Sequence, residues 1–344
     1  MREPVAALGR RDLRGLVSPV GGRRQSLAGF DDEYTDIVDY IVRITYKIWE
    51  QKGLGRIEDF YRPDIVIHTS DASARGRDDV ISASAKTMEA FPDVRLYPDD
   101  VIWSGDDQNG FHTSHRIVWT GRNTGESRYG PPTGRAIQRT GIAHCYVKQN
   151  EIIEEWIARD ELALVRQLGF DEHELAKKMA ADEAVSGARP EDAPAILPPE
   201  EVGDSEIETF LRRTMDETWN GRALDKLDES HVDNHVCHTT DNRTLYGLDA
   251  YKAHISSLQT AFPDARLGVD HVCWNANGRD GYAAAVRWTL RGTHGGPGIY
   301  GEPTGKPVGV LGITHFEVRE GRFVEEWMIF DEFALLKQIH APGN

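Results

Sequence analysis

The sequence predicts an α+β protein built as two tandem copies of one unit. Three observations carry this: a long internal repeat, a change from helical to alternating hydrophobic period within each copy, and a proline-rich break between them. Ala90-Phe91-Pro92-Asp93 recurs as Ala261-Phe262-Pro263-Asp264, an offset of 171 residues. The same offset takes Trp103 to Trp274, Arg116 to Arg287, Pro132-Thr133-Gly134 to Pro303-Thr304-Gly305, Gly141-Ile142 to Gly312-Ile313 and His144 to His315. It also takes Glu154-Glu155-Trp156 to Glu325-Glu326-Trp327 and Asp160-Glu161 to Asp331-Glu332. Nearer the start of each copy the offset is 170, taking Trp49 to Trp219, His68 to His238 and Asp71 to Asp241. Copies this long fold as domains of their own, unlike solenoid repeats.

The copies run over 31–170 and 204–344, with 1–30 as a basic N-terminal arm and 171–203 as a linker. The arm carries six arginines against Glu3 and Asp12, and it lacks the unbroken apolar stretch of a signal peptide. In the linker, Glu174 to Ala184 reads as a polar helix, and Pro190, Pro194, Pro198 and Pro199 as a semi-rigid spacer.

Within the first copy, Ile37, Tyr40, Ile41, Ile44 and Ile48 have helical spacing, so Asp31 to Gln51 is predicted helical until Gly53 and Gly55 break it. Ile65 to Ile67 reads as a short strand. A second amphipathic helix covers Asp78 to Phe91 and stops at Pro92. Four β-rich segments follow: Arg95 to Trp103, Gly110 to Gly121, Arg135 to Lys148 and Ile152 to Ala158. Asn150, and Gly321 in the second copy, stand where the last hairpin must turn, and both tolerate positive φ. Glu161 to Leu168 closes the copy as a helix. Helices first and an antiparallel meander afterwards give a curved sheet with helices on its concave side, a cone with a pocket inside.

Composition narrows the function. A formal net charge of −16 over 344 residues disfavours a nucleic-acid partner, because phosphate binding needs clustered positive charge. No apolar run approaches the ~20 residues that span a bilayer, so no membrane partner is expected. Cys145, Cys237 and Cys273 are odd in number and form no C-x-x-C pair, which fits a reducing cytoplasm better than a disulfide framework.

The ordered run F-P-D-x-R, R-x-x-x-x-G, P-T-G, G-I-x-H and E-E-W-x-x-x-D-E-x-x-L-x-x-Q-[LI] resembles the signature of the SnoaL-like polyketide cyclases (ester cyclases) of the NTF2-like superfamily, over nearly all of both copies. The resemblance implies two NTF2-like cones packed as an internal pseudo-dimer, a further homo-oligomer being left open, and a small-molecule substrate with no cofactor. It implies that Asp160 and Asp331 are general acid/base groups of an intramolecular aldol closure. It also implies that His144 and His315 assist from the neighbouring strand.

The residues themselves admit these roles. Trp156, Ala158 and Asp160 share parity along their strand, so the ring would form an apolar wall beside the carboxylate and raise its pKa. The alternative is that Asp160 and Asp331 only cap the helices that follow. His144 and His315 are either proton-transfer partners or core histidines with one hydrogen bond. His68 and His238 stand at the end of the first strand, where a His at the pocket mouth could orient substrate. Asp71 and Asp241 beside them read better as turn formers. Trp49, Trp219, Trp156 and Trp327 are candidate pocket walls, though an aromatic ending the first helix more often fills core. Arg116 and Arg287 would bind a carboxylate if they face inward.

Other motifs carry less. Gly296-Pro297-Gly298-Ile299-Tyr300-Gly301 matches G-x-G-x-x-G, but no predicted helix follows it. His231, His235 and His238 have suggestive spacing, but only His238 has a counterpart in the first copy, and His235 and His238 point to opposite faces of a strand. No metal site is therefore expected. No G-x-S-x-G elbow occurs. The reading is a cofactor-independent acid/base enzyme for cyclisation, isomerisation or elimination on a small or medium carbonyl compound. A hydrolase of the same fold and a non-catalytic binding or scaffold protein remain open.

Overall fold

The computed structural model describes residues 21–71, 73–186, 203, 205–277 and 281–342. Most of the expected N-terminal arm and the proline-rich half of the linker lie outside the described residues.

In the first copy, α1 (Ile37–Thr45) runs on into a π-helical turn over Tyr46–Glu50. It starts later than the spacing predicts, because the Asp36 carboxylate caps it by accepting from Asp39 N. The predicted apolar stripe is its buried side: Ile37, Tyr40, Ile41, Ile44 and Ile48 are all buried. Each such side chain contributes about 1.5–3 kcal/mol on full burial. A short α2 (Ile57–Phe60) leads into β1 (Tyr61–His68) and β2 (Ser73–Arg75). Then come α3 (Arg77–Ala90), β3 (Arg95–Asp106), β4 (Gly110–Arg122), β5 (Ala136–Lys148), β6 (Glu151–Arg159) and α4 (Glu161–Leu168). The polar helix α5 (Glu172–Ser186) follows, as its sequence predicts.

The second copy repeats the order. It runs α6 (Glu206–Trp219), α7 (Leu227–Ser230), β7 (His231–Thr239), β8 (Arg243–Tyr246), α8 (Leu248–Ala261), β9 (Arg266–Ala276), β10 (Gly281–Thr293), β11 (Pro307–Arg319), β12 (Arg322–Phe330) and α9 (Glu332–Ile339). Gly76 and Gly247, just before the second long helix of each copy, take φ of 91° and 88°, which side-chain-bearing residues rarely adopt. The final hairpins turn at Gln149-Asn150 and Glu320-Gly321, all with positive φ.

Each copy has one six-stranded sheet, ordered β2-β1-β6-β5-β4-β3 and β8-β7-β12-β11-β10-β9. The meander is antiparallel as predicted, but β1 pairs parallel with β6, and β7 with β12, so both sheets are mixed. The long connection through the second helix and the meander returns the last strand beside the first in the same direction.

Contacts divide the chain into two compact units. One comprises Met1–Thr69, Ser73–Ile157 and Gln167–Gly169, the other Ser70–Ala72, Ala158–Arg166 and Phe170–Asn344. Most of α4 thus belongs to the second unit although its sequence closes the first copy. In the first unit one core joins α1 to alternate residues of the sheet, including Ile65, Ile67, Val101, Phe111, Cys145 and Val147. Leu27 and Phe30, which the sequence reading places in the arm, are buried in that core. Phe30 meets Tyr40 and Phe111 edge-on at 5.0 and 5.9 Å.

Candidate functional site

Strand parity sorts the motif residues onto two faces of each sheet. Cys145 and Val147 face α1, so His144 lies on the opposite face with its cross-strand partner Ser114. There His68 stacks on Trp156 at 5.3 Å and gives or takes a hydrogen bond at 2.7 Å between its Nε2 and Glu154 Oε1. His144 meets the same indole edge-on at 6.0 Å. The second unit repeats this: His238 stacks on Trp327 at 5.1 Å and pairs with Glu325 Oε1 at 2.9 Å. His315 stands opposite Trp327 in register. The parallel pairs His68–Trp156 and His238–Trp327 bring these side chains together, and the first Glu of each E-E-W fixes the imidazole.

Asp160 and Asp331 both cap the helix that follows. Asp160 Oδ1 accepts from Ala163 N at 3.1 Å, and Asp331 Oδ1 from Ala334 N at 2.8 Å. Asp160 does more. Its Oδ1 also accepts from Asp241 N at 2.8 Å, and its Oδ2 from Asn242 N at 2.9 Å. Burial pushes the Asp160 carboxyl up to about 6, overriding the lowering by these three backbone donors, with a small contribution from Glu332.

The remaining sequence candidates have other partners. Arg116 is buried on the His144 face, and its Nε donates to Asp99 Oδ2 at 2.6 Å. Arg287 is buried on the corresponding face of β10, opposite Ile313. Asp71 pairs with Lys337, and Asp241 with Arg166, so both carboxylates are held by cations. Trp49 packs against the first unit's core. Trp219 stacks on Trp288 at 6.4 Å and lines an apolar pocket with Leu258, Phe262, Leu290, Val310, Phe330 and Leu335. The G-x-G-x-x-G match is a tight loop, bridged between Gly298 and Gly301 and leading into β11.

The second Glu of E-E-W faces the helices, a position that sequence reasoning passed over. Glu155 lies beside Tyr61 and Cys145; burial pushes both groups up, and the nearby carboxylate adds to that. Glu326 lies beside Tyr251 and Cys237 with the same effect. Around Glu326, however, stand His231 and His235. Ligand atoms of all three lie within 4.8 Å of one another, and all three residues are buried. Burial holds His231 down at about 3 and nearby His254 at about 4, so both imidazoles are neutral near pH 7. The available signal was the spacing of His231 and His235, which share strand parity, together with alternation along E-E-W.

The sequence profile of the SnoaL-like polyketide cyclases matches residues 39–168 and 209–339. Among solved structures, IdmH of Streptomyces antibioticus, a putative polyketide cyclase, is 26% identical over 38% of this chain and 97% of its own, with a TM-score of 0.34. TsrD of Streptomyces laurentii is 20% identical over 38% of this chain and 94% of its own, also with a TM-score of 0.34. No curated protein matches. No helix among the described residues is long and apolar enough to cross a membrane. With the family profile matched twice, in register with two copies of one helix-and-sheet order, the chain belongs to the SnoaL-like polyketide cyclase family as a tandem pair of domains.

Proposed function

We propose that the chain is an acid/base enzyme of the cyclase type, in which Asp160 and Asp331 move a proton on a small apolar carbonyl compound and His144 and His315 assist. The observation that carries this reading is the Asp160 carboxyl, buried and raised to about 6. A carboxyl poised there is a serviceable base or acid near neutral pH. Proton removal next to a carbonyl gives an enolate, which can close a ring, isomerise or eliminate.

A second reading, a binding or scaffold protein without catalysis, is favoured by one observation: both aspartates cap helices. The two readings diverge in the Asp160→Asn/Asp331→Asn double variant. Exchange of α-protons for deuterium is followed by NMR across a panel of methyl ketones and β-keto esters. Loss of a general acid/base lowers turnover about 100- to 10,000-fold. A folded double variant with near-normal exchange would falsify the catalytic reading, and so would a wild-type chain that exchanges nothing.

A further inference from the structure

We infer that His231, His235 and Glu326 form a binding site for one divalent first-row transition-metal ion inside the second unit. The site is separate from the aspartates of the proposed reaction. Strands β7 and β12 run parallel and adjacent, and their pairing shifts register between Phe323 and Glu325, opposite the stretch from His231 to Val236. That irregularity lies at the place where both imidazoles and the Glu326 carboxylate converge. All three residues are at most 1% exposed. The Nε2 of His231, both ring nitrogens of His235 and both oxygens of Glu326 make no hydrogen bond of normal geometry. The separation of His235 Nε2 from Glu326 Oε2, 3.7 Å, is too long for one. The Tyr251 hydroxyl and the Cys237 thiol lie beside the carboxylate, whereas His231 Nε2 and His235 Nδ1 have no hydrogen-bond partner.

A buried carboxylate is costly, and it persists where it is paired or binds a metal. Two imidazoles and one carboxylate suit zinc, iron or cobalt and leave coordination positions open for water. The outer contacts also prepare the site. Ser230 Oγ lies 2.9 Å from His231 Nδ1 and 3.4 Å from the Lys226 carbonyl. The hydroxyl thus holds Nδ1 and leaves Nε2, which has no hydrogen-bond partner, as the nitrogen available to a metal. The first copy has no such set: Tyr61 and Ile65 stand at the positions of His231 and His235.

The test uses the full chain, stripped by exhaustive chelation and titrated with Co2+. The site should take up one Co2+ per chain with visible ligand-field absorption. His235→Ile installs the residue the first copy already accommodates, and it should abolish both uptake and absorption. Ser230→Ala leaves all three ligands in place and should weaken binding about 10- to 100-fold. A stripped wild-type chain that takes up no Co2+ would overturn the site, as would equal uptake and an unchanged spectrum in His235→Ile.

Discussion

The two units place a glutamate at the same point of the same sheet and surround it differently. Glu155 sits beside Tyr61 and Cys145, next to a core sealed by Leu27, Phe30, Tyr40 and Phe111. Glu326 sits beside Tyr251 and Cys237, with two imidazoles where the first copy has Tyr61 and Ile65. The shared motifs build the frame: the P-T-G loop, the E-E-W strand and the capping aspartate are the same in both. Interior positions facing the helices are free to diverge, since changing them leaves strand pairing intact. One copy has become more apolar at its centre and the other more polar.

The largest test of this contrast is core truncation. Phe111 is buried among Phe30 and Trp103, whereas its counterpart Tyr282 is only partly buried. Phe111→Ala should cost about 3–5 kcal/mol, and Tyr282→Ala about 1 kcal/mol, read from denaturant midpoints of the full chain. Equal losses would break the contrast.

The next effect concerns pH. Asp160 is raised from 3.8 to about 6 in the folded chain, so between those values the folded state holds a proton that the unfolded state releases. Stability therefore falls as pH rises through that window, by up to roughly 3 kcal/mol. Asp160→Asn should flatten this slope. It should also cost about 1–3 kcal/mol at low pH, because its amide NH2 would face the Asn242 N–H that Oδ2 now accepts. Melting followed at several pH values decides; an unchanged slope in the variant would show that another group is responsible.

A smaller effect comes from His235→Ile. In the chelated chain it removes nitrogens that make no hydrogen bond of normal geometry, but also the imidazole 3.7 Å from the buried Glu326 carboxylate, so the two effects oppose and stability should change by no more than about 1 kcal/mol. With Co2+ present the wild type should gain a clear advantage, because only it binds the ion. An equal difference in both conditions would remove the functional contrast between the two interiors.

Much of this was legible in the sequence. The repeat gave the tandem organisation, and the apolar spacing of Ile37 to Ile48 gave the first helix, because both follow from local periodicity. The parallel pairing of β1 with β6 was not legible, since strand order depends on contacts distant in sequence. The role of Asp160 was half legible. Its helix cap follows from the residue before Glu161, but its contacts with Asp241 and Asn242 depend on α4 packing in the second unit. The His231–His235–Glu326 cluster was missed because the nearby His238 drew the comparison. Its closest carboxylate lies 91 residues beyond His235 in sequence.

The central claim, that a buried aspartate is the proton carrier, is met most directly by the pH–rate profile of Asp331→Asn, in which Asp160 is the remaining carrier. Acting as a base, Asp160 must be ionised, so α-proton exchange should rise with pH through an apparent pKa near 6 and level off above it. A profile flat from about pH 5 to about pH 7 would contradict the claim, because no carboxyl raised to that range would then be governing the reaction.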